Sequence, residues 1–130
     1  MSEERGTASL ELALVGPVLM LLVLGVLQFG LWYHAQQVVG AAALEAARAA
    51  AAEDGSAAAG HARAMELLAH GLGSAAEGRE AAVSMGQDVA TVRVTARLRA
   101  LLPLPGVADI PLRAEASAFR ERFRPAEEAG

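Results

Sequence analysis

The chain contains no cysteine, no lysine and few aromatic residues: one Trp, one Tyr and three Phe among 130 residues. The lack of cysteine excludes a disulfide framework and thiolate chemistry. The formal net charge of −4 and the scarcity of aromatic side chains argue against the basic, base-stacking surfaces that bind nucleic acid. A small domain without disulfides must be held together by packing or by partners.

Sequence signals for catalysis are also missing. The chain has no glycine-rich phosphate loop and no serine in a nucleophile-elbow context. His61 and His70 fall on opposite faces of a helix that advances about 100° per residue, so they cannot share a metal ion. Glu66 and His70, one helical turn apart, are interpreted as a surface pair rather than as metal ligands. We therefore predict no enzymatic activity, and we assign no catalytic, cofactor-binding or metal-ligating residue.

One long apolar run is present. From Leu12 to Tyr33 no residue is charged, and the only strongly polar residue is Gln28. A membrane-spanning helix needs about 20 predominantly apolar residues, so the run predicts a single transmembrane helix. Trp32 and Tyr33 at its far end are typical of an interfacial aromatic anchor.

Two other interpretations of the run are a buried core helix and a cleavable secretory signal. A helix that is apolar on every face does not suit a domain too small to surround it. A secretory signal usually has a basic start and an apolar region of about 7–15 residues, whereas this chain begins MSEER and its run is longer. The small residues of VVGAAA still offer a signal peptidase a cleavage site, which keeps a secreted product as an alternative.

Helix-forming residues continue beyond the apolar run. One helix, capped by Thr7 or Ser9, is predicted to extend to about Asp54, with Gly55 as its C-terminal cap. Its first half would lie in lipid, and its second, Ala-rich half would stand in water.

A second, shorter helix is predicted from the next stretch of sequence. Ser56 or His61 begins it, and it reaches about His70, where Gly71 and Gly73 end it.

Beyond residue 80 the hydrophobic period changes from helical to alternating. DVATVRVTARLRA and PLRAEASAFRERF alternate apolar and polar residues, as half-buried strands do. AAVSM, followed by Gly86-Gln87-Asp88, predicts a short first strand and turn, and LPLPGVAD suits the loop between the other two strands. The water-side half of the long helix is the expected cover for the apolar face. The predicted inward positions are Val92, Val94, Ala96, Leu98, Leu112, Ala114, Ala116 and Ala118.

The outward positions of the middle strand include a row of three arginines, Arg93, Arg97 and Arg99. Such a row can bind an anionic surface, but pairing with Glu115 and Glu121 of the next strand is the simpler interpretation.

These segments predict an α+β fold: a long N-terminal helix with a transmembrane half and a water-side half, a short second helix and a three-stranded antiparallel sheet. The predicted divisions are a leader peptide over residues 1–6, a transmembrane helix over 7–33, a water-side helical region over 34–78, a small antiparallel β-meander over 79–124 and a disordered tail over 125–130.

Glu11 places a carboxylate at the entry to the apolar run, where burial is costly unless the charge is paired or kept at the interface. It lies five residues beyond Gly6, and the run follows without a break. This arrangement resembles the prepilin signal of type IV pilin-like proteins. Within that superfamily, the RGxxxxE start, Pro17 six residues after the glutamate and the Ala-rich ARAAA stretch resemble the TadE-like minor pilins or pseudopilins of tight-adherence (Flp) pili.

The resemblance implies how the chain would mature. A prepilin peptidase would cut between Gly6 and Thr7, and Glu11 would pair with the new N-terminal ammonium of an adjacent subunit. The chain would be a minor pilin-like structural subunit for assembly of a Tad/Flp pilus. It would reside in the cytoplasmic membrane as a single-pass protein, with its N-terminus cytoplasmic and its C-terminal domain extracellular or periplasmic.

The resemblance also implies the partners of the chain. These are other pilin-like subunits, the prepilin peptidase, the Tad secretion platform proteins and the lipid bilayer, with no nucleic acid and no cofactor. The alternative function is a single-pass, membrane-anchored extracellular adaptor or binding domain unrelated to pili, in which Glu11 is incidental.

Overall fold

A computed structural model describes residues 2–101 and 109–121, with side chains described from residue 4 onward. A 3₁₀ turn over Gly73–Ala75 separates the helices from the strands. The elements are helices α1 (Ser2–Ala51) and α2 (Ala57–Leu72), then strands β1 (Ala76–Met85), β2 (Val89–Arg99) and β3 (Asp109–Phe119). The predicted α+β class is confirmed: a long N-terminal helix, a short second helix and a three-stranded antiparallel sheet.

Helix α1 is longer at its start than the sequence predicted. The expected cap at Thr7 or Ser9 is wrong, because the helix already begins at Ser2 and runs through both residues. Acidic residues such as Glu4 suit a first turn, since the helix dipole favours negative charge there. The helix ends at Ala51, three residues before the predicted Asp54.

Helix α2 begins where one of the two predicted starts placed it. The Ser56 hydroxyl accepts a hydrogen bond from the Ala59 N–H at 3.1 Å, which caps the first turn. The helix ends at Leu72, with Gly73 at a φ of 51° as its C-terminal cap. Gly71, which the sequence also offered as an end, lies within the last turn.

The three strands form an antiparallel meander in the order β1-β2-β3. Val92 on the central strand lies opposite Val83 on β1 and Ala116 on β3. β1 begins at Ala76, before the predicted AAVSM segment. The register of this strand shifts between Glu77 and Glu80. Such a bulge interrupts the alternation on which strand prediction depends.

The core lies between one face of the sheet and the two helices. The second half of α1 packs across β2 and β3, and α2 packs against α1 and β1. The predicted inward positions of β2 are all buried, as is Leu112 of β3. α1 contributes mainly small side chains, namely Ala35, Val39, Ala42, Ala43, Ala46, Ala47, Ala50 and Ala51. Small residues on this face let the helix and the sheet approach closely. The predicted cover of the sheet, the water-side half of the long helix, is thus confirmed.

Two of the predicted segments lie outside the described residues. These are the tail over 125–130 and most of the LPLPGVAD loop. The predicted division into leader, span, helical region, meander and tail stays a prediction.

Candidate functional site

The first half of α1 has no packing partner within the described part of the chain. From Glu4 to Leu27 every residue except the half-buried Leu24 and Gly25 is exposed. α1 is the one described helix that is long and apolar enough to cross a membrane, and its most apolar stretch is unburied. These residues extend about 36 Å at 1.5 Å per residue, close to the thickness of a bilayer core. The interpretation as a buried core helix is therefore wrong.

Packing against the sheet domain begins at Gln28. This side chain is 7% exposed, and its Oε1 accepts a hydrogen bond from the Leu101 N–H just after β2. Its Nε2 has no hydrogen-bond partner among the residues that the structure describes. The single polar residue of the apolar run thus marks the point where the free helix meets the domain, a role that the sequence analysis did not assign.

The two aromatic residues at the end of the run have different environments. Trp32 is half-buried and packs against the core, whereas the Tyr33 side chain is 56% exposed. Phe29 lies between them, with ring centroids 5.9 Å from Trp32 and 6.4 Å from Tyr33. Of the predicted anchor pair, Tyr33 remains available to an interface, and Trp32 mainly joins helix and domain.

The predicted processing and pairing residues occupy the exposed first turns of α1. Gly6 has open space around the position of a side chain, with no described residue from elsewhere in the fold within 4 Å. Thr7 and Glu11 are one helical turn apart and line the same shallow surface as Glu4 and Ala8. No described basic side chain forms an ion pair with Glu11. The geometry leaves Gly6 accessible and the Glu11 carboxylate open to a partner from outside the chain.

Two of the four ion pairs among the described residues lie on the outer face of the sheet. Arg93 pairs with Glu115 at 2.9 Å, as the sequence suggested, but Arg99 pairs with Glu77 of β1. The hydrogen bond from Arg99, together with its positive charge, lowers the pKa of the Glu77 carboxyl. Among the described residues, Glu121 forms no ion pair with an arginine, and its N–H instead donates to the Ala51 carbonyl at 2.8 Å.

The histidines form no metal cluster in the part of the chain that the structure describes. The predicted side-chain pair between Glu66 and His70 is wrong. The Glu66 carboxylate lies 3.3 Å from Arg63, and the His70 ring instead contacts the backbone carbonyl of Glu66 at 3.1 Å. A basic residue one turn before the glutamate therefore replaces the histidine as its partner.

Comparison with known proteins gives a match within the first helix. A family model described as TadE-like protein matches residues 6–48. No curated protein and no solved structure matches the chain. The match starts at the glycine of the predicted processing site, includes the whole exposed apolar stretch and ends in the part of α1 that covers the sheet. Residues 6–48 are thus a TadE-like segment, which confirms the family resemblance found in the sequence.

Proposed function

We propose that the chain is a minor pilin-like structural subunit for assembly of a Tad/Flp-type pilus, stored in the membrane through α1. A Tad pilus-related role, with one helix able to span a membrane, follows from the family match and from α1 itself. The observation that supports this subunit role is that the match begins at Gly6, at the start of a helix whose apolar half packs against no other described residues.

The structure supports different roles for the two halves of α1. Residues 4–27 form the stalk in the bilayer, and the helix from Gln28 onward carries the sheet domain. We place the N-terminus in the cytoplasm and the C-terminal domain outside the membrane. The domain then adapts, initiates or caps the growing fibre, and the chain acts without enzymatic activity.

The chemistry of assembly in this proposal rests on one charge pair. Cleavage after Gly6 creates an ammonium at Thr7, and Glu11 of a neighbouring subunit provides the anion. Both charges lie at the edge of a low-dielectric layer, where attraction is stronger than in water and an unpaired charge is costly. Other pilin-like subunits, a prepilin peptidase and the Tad secretion platform are the partners, and energy for extrusion comes from the platform.

Processing is tested by the mass of the membrane-extracted chain. We expect the wild type to begin at Thr7, and Gly6→Leu to retain the six-residue leader, because a bulky side chain occupies the place where the peptidase needs a glycine. No packing neighbour in the described part of the chain lies within 4 Å of the Gly6 Cβ position, so we expect the change to leave the fold intact. Gly16→Leu, which also meets open space, is the control and is expected to be processed normally.

Intact mass interpreted in this way separates the competing functions. A wild-type chain that keeps Met1 or Ser2 in a strain with an active prepilin peptidase contradicts the pilin proposal and favours an anchored adaptor. A chain that begins beyond Tyr33 indicates a secreted product.

Glu11→Leu is expected to leave membrane insertion unchanged and to reduce incorporation with other pilin-like subunits by about tenfold or more. The reason is that the neighbour's ammonium would lose its partner in low dielectric, and breaking one member of such a pair costs about 3–5 kcal/mol when it is buried. Co-purification of the tagged chain with sheared pili or with crosslinked pilin complexes measures the effect.

The matched control for Glu11→Leu is Glu53→Leu, which removes an exposed carboxylate beyond the end of α1. Equal incorporation of the Glu11 variant and the wild type would refute the pairing mechanism.

A further inference from the structure

The membrane-proximal end of the sheet can be located from two hydrogen bonds to α1. The Leu101 N–H donates to Gln28 Oε1, and Gln36 Nε2 donates to the Arg113 carbonyl at 2.7 Å. Gln28 and Gln36 are about 12 Å apart along the helix axis. The end of β2 and the start of β3 therefore lie beside the helical turns that immediately follow the free apolar stalk.

Two arginines at this end of the outer face have no carboxylate within ion-pair distance in the described chain. Glu77 lies opposite Arg97 in the sheet, but its carboxylate pairs with Arg99. Arg97 and Arg113 line an open cavity of about 550 Å³ together with Thr95. Thr95 lies directly opposite Arg113 in the sheet and two residues before Arg97, so the three residues share the outer face. Arg93 and Arg99, on the same face, are already paired with carboxylates.

The β-bulge of the first strand makes room for one of these guanidinium groups. A Cβ at Gly78 would lie 2.8 Å from Arg97 Nε, and Gly78 has a φ of +62° that favours glycine. Glu80 lines the same cavity, and it forms no ion pair with either arginine. The bulge thus brings the Arg97 side chain against the backbone of β1, beside a cavity open to solvent.

An exposed apolar side chain lies below the arginines. Leu101 is 46% exposed, although its N–H is fixed to Gln28. Leu101 and Arg97 are about 13 Å apart along an extended strand. The exposed apolar residue therefore lies at the level where the stalk ends, and the basic residues lie farther from the membrane. Segments that lie at a membrane surface have the same arrangement.

The geometry points to a lipid-headgroup site formed by Thr95, Arg97, Leu101 and Arg113, here called the foot. Leu101 rests at the boundary of the hydrocarbon layer, and the two guanidinium groups and the Thr95 hydroxyl bind the phosphate of an anionic phospholipid. Guanidinium groups suit phosphate because their planar N–H donors bind two oxygens at once. The foot rests on the proposed membrane span, and its role is to hold the sheet domain at a fixed angle on the membrane while the subunit is stored.

The foot is tested with full-length protein in nanodiscs. The chain has no cysteine, so Leu101→Cys accepts a single environment-sensitive dye, and Ser84→Cys, on an exposed position of β1, provides a distant control label. Access of aqueous dithionite to the dye is measured in discs of phosphatidylcholine alone and of phosphatidylcholine with phosphatidylglycerol.

We expect phosphatidylglycerol to raise the ratio of protected to accessible label at position 101 about 30-fold, or about fivefold for each guanidinium. The label at position 84 should not respond. Arg97→Gln with Arg113→Gln should abolish the response, and Arg93→Gln, which alters a paired arginine of the same face, should retain it.

Several results would contradict lipid binding by the foot. One is equal protection in the two kinds of disc, and another is an equal loss in the Arg93 variant. Protection by soluble glycerol phosphate in phosphatidylcholine discs, without any response to phosphatidylglycerol, would indicate a free-phosphate site instead. Failure of the chain to enter discs of either composition would refute the membrane span itself, so the two proposals fail separately.

Discussion

Leu22→Arg is expected to remove the chain from the membrane fraction. Leu22 lies in the unpacked half of α1 and is 62% exposed, so the substitution breaks no contact within the folded domain. Near the centre of a span, exchange of a leucine for an arginine costs about 3–4 kcal/mol of insertion free energy. That cost corresponds to a shift of about 10²–10³-fold away from the inserted state, and the affected chain should be degraded or left soluble.

The matched control for Leu22→Arg is Leu44→Arg, the same exchange on the same helix. Leu44 is 40% exposed in the part of α1 that covers the sheet, beyond the stalk. Carbonate extraction followed by immunoblotting measures the membrane-resistant fraction of each variant. If the Leu22 variant resists extraction as well as the Leu44 variant, α1 does not cross the bilayer at this level.

The features predicted well from sequence are those with a local period. The uncharged run from Leu12 to Tyr33 exceeds the length that a small domain can bury, and the structure leaves most of it exposed. Alternation around Val92 and Val94 identified the buried face of β2, because a strand turns successive side chains to opposite faces. Periodicity of this kind depends only on near neighbours along the chain.

The features that sequence reasoning missed depend on distant contacts. The burial of Gln28 follows from its hydrogen bond to Leu101, a residue 73 positions away. The pairing of Arg99 with Glu77 depends on a bulge that shifts the register of β1. A local sequence pattern predicts neither the burial of Gln28 nor the pairing of Arg99 with Glu77.

The residues of the candidate sites also differ in whether they depend on local sequence or on distant contacts. Gly6, Thr7 and Glu11 were predicted from the resemblance to a prepilin signal, a motif within consecutive turns of one helix, and their roles stay predictions. The foot could not be recognised in this way. Arg93, Arg97 and Arg99 look equivalent in the sequence, and the strand register places a carboxylate residue opposite each of them. Only the side-chain contacts show that Glu115 pairs with Arg93 and Glu77 with Arg99. The charge that remains available for a ligand is thus a property of the sheet, not of the arginine row.

Gly60→Leu is expected to unfold the sheet domain while α1 remains in the membrane. Gly60 lies where α2 crosses α1, and a Cβ there would be 2.9 Å from the Ala50 Cβ and 3.0 Å from the Ala46 carbonyl oxygen. Neither neighbour can move aside, because one is a short side chain fixed to α1 and the other is helix backbone. Overpacking of this kind costs about 3 kcal/mol, and the helices would have to separate to admit a leucine. In a core made largely of alanine, that separation also exposes the apolar face of the sheet.

The control for Gly60→Leu is Gly40→Leu, because a Cβ at Gly40 has no packing neighbour within 4 Å among the described residues. Leucine is a better helix former than glycine by about 0.8 kcal/mol, so the Gly40 variant should be as stable as the wild type or slightly more stable. Limited proteolysis and thermal unfolding of the purified full chain in detergent measure the difference, with α1 expected to survive as a protected fragment in the Gly60 variant. Equal unfolding temperatures for the two variants would mean that α1 and α2 do not cross in close contact. The domain would then have to be held together chiefly by the pairing of its strands.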